Sequence, residues 1–249
     1  MSKSSGLGDN LYIAGYDASG DISALGNIGG GPATLDFTAI NKSAMERKGG
    51  IRDGRIEYTA FFNHVDAGTG THEVLSALPT SDQIVTYCRG TQLGSPAACL
   101  VSKQIGYDGT RGTDGTFTFA VSSQANRFGL EWGQQLTAGL RTDTAATQGA
   151  SIDTTAAASF GAQAYLQVMA FTGTDATITI QDSADNSAFT DVTGLAFTQV
   201  TAAPTTQRIA TGATATIRRY LRVVTTTTGG FSNLVFNVVA AKNQVAVTF

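Results

Sequence analysis

The feature that most narrows what this chain can fold into is its second half, where charge nearly vanishes and β-forming residues take over. From Phe160 to Val239 the apolar and β-branched residues come in short runs. Among them are Tyr165-Leu166-Gln167-Val168, Ala176-Thr177-Ile178-Thr179-Ile180, Arg219-Tyr220-Leu221-Arg222-Val223-Val224 and Asn233-Leu234-Val235-Phe236-Asn237-Val238. Thr, Gly, Asn and Asp fill the intervals, and the segment holds no His, Cys or Glu. Short runs bounded by turn residues fold as strands, and their regular spacing predicts a sandwich rather than alternating strands and helices. A segment so poor in reactive groups reads as a building part rather than a catalyst.

At 249 residues the chain is long enough for one large β domain or two ordinary ones. Charge divides it unevenly, since 25 of its 35 charged residues (16 basic and 19 acidic) fall in residues 1–150. Charged residues make up 14% of the chain, against about 25% in an average soluble protein. Partner subunits covering much of the surface account for so low a share, although Thr and Ser can also keep a β surface wet. A net charge of −3 argues against a basic face that grips nucleic acid. No apolar run approaches the ~20 residues of a membrane-spanning helix, and the first residues lack the apolar core of a signal peptide. Synthesis and folding in a cytosol are therefore expected. In a reducing cytosol Cys88 and Cys99, flanking a Gly-Thr-Gln-Leu-Gly-Ser turn, are expected as half-buried thiols rather than a disulfide.

Along the chain, the first nine residues read as a loose arm. Strands are expected over Asn10–Tyr16, Ala33–Ile40, Arg55–Asn63, Asp82–Arg89, Ala97–Tyr107, Gly115–Ser123 and Asn126–Trp132. One short helix is expected from Thr71 to Leu78, with Thr71 as its N-cap and Pro79 as its stop. Residues 142–159 are small, polar and aperiodic. The boundaries expected are thus a first β domain over 1–143, a linker over 144–159 and a C-terminal β-sandwich over 160–249.

No motif carries catalysis. Gly26 to Gly31 lacks the Gly-Lys-Ser/Thr ending and following helix of a phosphate-binding loop, and reads as a flexible or positive-φ turn. His64 and His72, with Asp66 and Glu73, lie at no metal-ligand spacing and read as an ordinary surface loop. Asp182-Ser183-Ala184-Asp185-Asn186 lacks the distal Glu of a calcium loop and reads as Asx side chains capping a turn. Asp36 with Glu57 is no evidence for glycoside hydrolysis. Alternation in the Arg218-Arg219-Tyr220-Leu221-Arg222 run sets Arg218, Tyr220 and Arg222 opposite Arg219 and Leu221, as at a solvated edge or subunit contact. The chain is accordingly expected to be no enzyme, with no cofactor and no metal.

Several phrases together resemble the major tail (tail tube) proteins of long-tailed bacterial viruses, especially those of actinobacterial hosts. They are Gly31-Pro32-Ala33-Thr34-Leu35-Asp36-Phe37-Thr38, Asn41-Lys42-Ser43-Ala44-Met45-Glu46-Arg47, Arg52-Asp53-Gly54-Arg55-Ile56-Glu57-Tyr58-Thr59-Ala60-Phe61-Phe62 and His72-Glu73-Val74-Leu75-Ser76-Ala77-Leu78-Pro79. Gln181 to Asn186, Phe189 to Val192 and Arg219 to Val224 extend the resemblance over most of the chain. It implies an all-β fold: a two-sheet β-sandwich or barrel core with one flanking helix, and here an added C-terminal Ig-like sandwich serving as outer decoration.

The resemblance further implies hexameric rings, joined strand to strand and stacked into a hollow tail tube through which DNA passes without specific binding. The loop over residues 41–54 is implied to reach a neighbouring ring, with Lys42, Glu46, Arg47, Lys48, Arg52 and Asp53 fixing register. Asp36 and Glu57 are the candidates for a mildly acidic lumen. Implied partners are further copies of the chain and the tape-measure, terminator and distal tail proteins, in a virion assembled in the host cytoplasm. A weak host-surface glycan contact by the C-terminal sandwich, through Tyr165, Phe189 or Tyr220, is a further expectation. The alternatives are a carbohydrate-binding adhesion protein and a capsid decoration or tail-terminator protein.

Overall fold

The computed structural model describes residues 7–64, 70–77 and 81–246. In chain order the strands are β1 (Asn10–Ile13), β2 (Tyr16–Asp17), β3 (Ile22–Asp36), β4 (Arg47–Phe61), β5 (Gln83–Cys88), β6 (Pro96–Arg111), β7 (Phe117–Ala125) and β8 (Glu131–Gln135). They continue as β9 (Arg141–Asp143), β10 (Ile152–Asp153), β11 (Ala162–Gly173), β12 (Thr177–Ser183) and β13 (Thr190–Ala196). The last are β14 (Thr205–Ala210), β15 (Tyr220–Thr226) and β16 (Phe231–Lys242). One short helix, α1 (Thr71–Ser76), follows β4. The fold is all-β as expected, with two antiparallel sheets, and no sheet closes into a barrel.

Two compact units emerge, and neither is a contiguous stretch of chain. The first gathers residues 1–20, 84–99 and 131–249, and the second residues 21–83 and 100–130. The stretch 144–159 therefore lies inside the first unit instead of linking two domains. Its small residues are laid against β15: β10 pairs there, and Gln148 bridges to Val224. A two-residue strand with isolated bridges has no periodicity for a sequence to display. Residues 160–249 likewise share their unit with N-terminal strands.

In the first unit, the sheet of β10, β15, β12 and β13 packs on β11, β14 and β16. The core between them is built by strict alternation: Ala164, Leu166 and Val168 on β11, Leu234, Phe236 and Val238 on β16, Ile178 and Ile180 on β12, and Leu221 and Val223 on β15. Both β11 and β16 are also buried on their opposite faces, where Gln163, Tyr165, Gln167, Asn237 and Val239 are covered. A doubly buried strand leaves its polar side chains no water, so each needs a protein partner.

Gln167 meets that need across the unit. Its side-chain NH2 donates to the Ile84 carbonyl (2.9 Å) and the Thr86 hydroxyl (3.1 Å), and its Oε1 accepts the Gly15 N–H (2.7 Å). Gly15 belongs to the tight turn between β1 and β2, where Ala14 and Gly15 both take positive φ. The expected single strand over Asn10–Tyr16 is therefore a hairpin. Beside Gln167, the Arg208 guanidinium grips the buried Glu131 carboxylate (2.9 and 3.0 Å), and the Tyr165 hydroxyl donates to the same carboxylate. Cys88 and Cys99 are free and more deeply buried than expected, and desolvation pushes the Cys88 thiol up to about 12.

The second unit is a four-stranded sheet in the order β3, β4, β7 and the second part of β6. Ile56, Tyr58 and Ala60 of β4 alternate into its core with Phe119 and Val121 of β7. A six-residue helix is too short to hold itself, and α1 is held from outside. Leu75 is buried, the Gln104 side chain donates to the Leu75 carbonyl (2.6 Å), and the Thr71 hydroxyl bonds Asp21. The N-cap position falls to Gly70, with no side-chain cap, because the Thr71 hydroxyl is turned to Asp21 instead. The expected end of the helix at Leu78 and Pro79 lies outside the described residues.

Gln167→Leu keeps the apolar volume but strands the Gly15 N–H and the Thr86 hydroxyl in a dry interior. It should lower unfolding stability by about 2–4 kcal/mol. Urea denaturation at neutral pH measures this, and an unchanged midpoint would show that the pin is dispensable.

Candidate functional site

The glycine stretch from Gly26 to Gly31 runs as extended strand within β3, not as a turn. Glycine is needed here for close approach. A Cβ on Gly30 would stand 2.5 Å from the Asp53 carbonyl oxygen, and one on Gly54 would stand 2.5 Å from the Leu130 nitrogen. The Gly30 and Gly54 pair thus lets the backbone at Leu130 cross directly over the β3–β4 ribbon. Because the glycines keep the strands extended, β3 and β4 pair from Ile22↔Ala60 to Asp36↔Arg47, with register shifts between Ile22 and Ala24, Leu25 and Ile28, and Pro32 and Thr34.

The outer half of that ribbon and its loop form the candidate site. From Gly31 to Asp53 no residue is buried, yet Leu35, Phe37, Ile40, Met45 and Ile51 lie there exposed. The expected loop 41–54 is divided by the structure: residues 37–46 form the ribbon end, and Arg47 to Gly54 belong to β4. Local bonds shape the end. The Asp36 carboxylate accepts the Thr38 N–H (2.8 Å), the Thr38 hydroxyl accepts the Glu46 N–H (2.8 Å), and the Phe37 N–H donates to the Glu46 carbonyl (2.9 Å). The Thr38 hydroxyl and N–H together hold the Asp36 carboxyl below its ordinary range.

The charged residues expected to act here are brought to one ribbon but held in separate local contacts. Lys42 pairs with Glu46 (2.9 Å), Arg47 lies against the Met45 sulfur (2.8 Å), and the Lys48 ammonium sits 5.1 Å from the centre of the Phe37 ring. Asp53 accepts the Gly54 N–H (2.7 Å) and the Gln124 side chain (3.2 Å), while Arg52 runs along Gly129. The sequence reading selected the charges and passed over the apolar residues between them. Ile40 and Ile51 were visible as large apolar side chains in a charged, Gly-rich stretch.

Asp36 and Glu57 are not brought together. Asp36 pairs with Arg47 at the ribbon end, and Glu57 lies ten residues further along β4, roughly 33 Å at ~3.3 Å per residue. Glu57 lies on the face of the sheet opposite the core, with Arg55 3.8 Å away and cross-strand from Ser122. Alternation places Asp53, Thr59, Phe61, Lys103, Asp108, Ala120 and Gln124 on that same face, where three acids stand against Arg55 and Lys103, so it is mildly acidic. Asp108 is the member of this set that the sequence reading did not select.

Other singled-out groups are occupied within their own unit. His64 contacts Glu73, and His72 Nδ1 lies 2.8 Å from the Tyr107 hydroxyl. Asp66 lies outside the described residues, and among the described ones no cluster of three His, Cys, Asp or Glu could hold a metal. Arg218 and Arg219 pair with Asp182 and Asp153, and Arg222 stacks 4.1 Å over Phe189 while donating to Gln181 (2.7 and 2.9 Å). Of the three aromatics expected to stack on sugar, Tyr165 is buried, and Tyr220 and Phe189 each have a guanidinium over the ring, with Arg219 5.1 Å from the centre of Tyr220.

Asp185 caps its turn as an Asx residue, accepting the Ala188 (3.0 Å) and Ser187 (2.9 Å) N–H groups and the Ser183 hydroxyl (2.8 Å).

No family model matches the chain, and no curated protein matches it. Among solved structures it is similar to the SPP1 Dit (gp 19.1) protein, described as a paradigm of the hub adsorption apparatus in Gram-positive-infecting phages. The identity is 10%, over 92% of this chain and 98% of that one, with a TM-score of 0.33. It is also similar to the phage p2 baseplate in its activated conformation, with Sr (TM-score 0.35) and with Ca (0.36). Each of these is 10% identical over 96% of this chain and 99% of that one. At this identity and these scores no functional conclusion is drawn from the likeness.

Two outcomes follow from the local geometry. Gly54→Ala forces the Leu130 backbone away and should cost about 1–3 kcal/mol, read as a lower melting temperature. For Asp185, the donated bonds of Ala188, Ser187 and Ser183 hold the carboxyl at about 2, below its ordinary 3.8. Its contribution is therefore complete above pH ~4 and is lost as pH falls through about 2. Asp185→Asn should melt below the wild type at neutral pH, with the gap closing between pH 4 and 2. A gap independent of pH over that window would contradict the assignment.

Proposed function

We propose that this chain is a non-enzymatic structural subunit of a bacteriophage tail that assembles with copies of itself into rings stacked as a tail tube. The outer half of the β3–β4 ribbon carries the reading. A two-stranded ribbon without a packed face is marginal in water, and this one adds exposed Phe37, Ile40, Met45 and Ile51 where solubility favours polar side chains. Such a ribbon is completed by a surface outside the chain. The tail-tube resemblance of residues 31–62 falls on this same ribbon, and it supplies the surface's identity: a neighbouring ring, with six copies to a ring.

Two further observations support the reading. Among the described residues β3 pairs on one side only, with β4, so its other edge is open to a neighbour's sheet over a long strand. The face carrying Asp53, Glu57 and Asp108 is mildly acidic, which suits a lumen through which DNA slides without adhering. Tape-measure, terminator and distal tail proteins are the partners this role requires, and the virion is its location. In this role the chain needs no cofactor and performs no catalysis.

Electron microscopy of the purified protein across a concentration series tests the proposal, with rings or tubes as the expected outcome. Monomers alone, at high concentration and with no such protein in the tail of an intact particle, would overturn it. Arg47→Glu and Arg52→Glu should each reduce assembly at least tenfold while shifting monomer stability by no more than about 0.5 kcal/mol, as exposed substitutions do. Unchanged assembly would remove these two residues from the contact.

A further inference from the structure

Strand β4 carries an exposed apolar patch at each end, both within the second compact unit. At its Arg47 end stand Phe37, Ile40, Met45 and Ile51, with Ile40 and Ile51 almost wholly in solvent at 107% and 87% exposure. Just past its other end, on the face of the sheet that carries Tyr58 and Ala60, stand Phe62 and Phe117, each exposed by more than a third. The second patch is a fixed floor rather than a set of loose rings. Phe62 donates its N–H to the Phe117 carbonyl (3.0 Å), and its ring lies 5.4 Å from Phe117 and 4.6 Å from His72. Eleven residue steps separate Ile51 from Phe62, roughly 36 Å at ~3.3 Å per residue, so one copy cannot cover its own floor with its own ribbon end.

Charge distinguishes the ends. Over residues 35–52 four cations (Lys42, Arg47, Lys48, Arg52) outnumber two acids (Asp36, Glu46). Around the aromatic floor the order is reversed. Asp21 bonds Asn63, Glu73 sits on α1, Asp114 lies in the β6–β7 turn, and Arg111 is the single permanent cation among them. Like patches repel, since ribbon end on ribbon end sets +2 against +2, and floor on floor sets −2 against −2. Ribbon end on floor is the attractive pairing, and it joins apolar surface to apolar surface.

We infer that the Phe62-Phe117 floor of one copy receives the ribbon end of the next copy of this chain. The inference rests on the reading of the chain as a self-assembling subunit and assigns the receiving surface that this reading leaves open. A contact between two different patches is heterologous. Each added copy therefore presents a fresh ribbon end or a fresh floor, and the series propagates along the strand direction.

Two full-length variants test it. Ile40→Asp with Ile51→Asp spoils the ribbon end and keeps the floor, while Phe62→Ser with Phe117→Ser spoils the floor and keeps the ribbon end. Each alone should sediment as its smallest unit, and an equimolar mixture should give a species of twice that mass, because one good end of each kind remains. Continued growth by the Phe62→Ser, Phe117→Ser variant, alongside a wild type that assembles, would overturn the docking assignment and leave self-assembly standing. A wild type that never assembles would overturn both.

Should either variant fail to fold, Ile40→Cys and Phe62→Cys chains can be mixed under a mild oxidant such as oxidised glutathione. Cross-linking between the two kinds of chain is expected. Cross-linking only of Ile40→Cys with itself would overturn the assignment. The native Cys88 and Cys99 are fully buried and do not compete.

Discussion

Everything in the first unit depends on β11 and β16 being dry on both faces. A strand buried on one face can turn its polar residues to water, and a strand buried on both cannot. The inward face is met by apolar packing against β12 and β15. The other face is met by polar side chains with fixed partners: Gln167 holding the β1–β2 turn and β5, Asn237 donating to Thr137 (3.1 Å) and the Gly139 carbonyl (3.0 Å), and Tyr165 engaging Glu131. These bonds specify which strands may lie there. A shifted register would replace each Gln or Asn partner with an unmatched group, at a cost larger than the bond itself contributes.

The Glu131–Arg208 pair is part of the same arrangement. Two buried charges recover their desolvation only when the geometry is close to ideal and the remaining lone pairs are satisfied. Here the guanidinium is bidentate and Tyr165 fills a further acceptor position. Glu131 comes from the middle of the sequence, and Tyr165 and Arg208 from the second half. The network therefore ties together segments that sequence reading assigns to separate domains.

The second unit uses the opposite economy. Its strands β3 and β4 have a packed face only over their inner half, where Ile56, Tyr58 and Ala60 meet β7, and the outer half has none. Glycines at 30 and 54 let the chain at Leu130 cross and anchor the ribbon at the boundary between these halves. Beyond that crossing, apolar side chains that find no cover within the unit make an isolated ribbon unfavourable in water. The same feature that weakens the single chain equips it for association, with the surrounding Lys, Arg and Glu residues setting which surfaces attract.

The sequence by itself determined the all-β fold, the approximate strand positions, the glycine stretch as a special segment and the Asx character of Asp185. Each of these is local, resting on alternation, turn chemistry or a side chain reaching two or three residues along. It also marked residues 31–62 as distinctive, though it weighed their charges and not Ile40, Met45 and Ile51, because exposure is a property of the whole packing arrangement. Only the tertiary structure decided that the glycines are strand rather than turn, since their reason is the backbone of Leu130, about 75–100 positions away in the chain. Only it decided that residues 144–159 form a sheet edge and that the second half shares its core with N-terminal strands. Strand partnership at long range is set by which faces must be buried and which polar groups must be paired, and neither is written in any single segment.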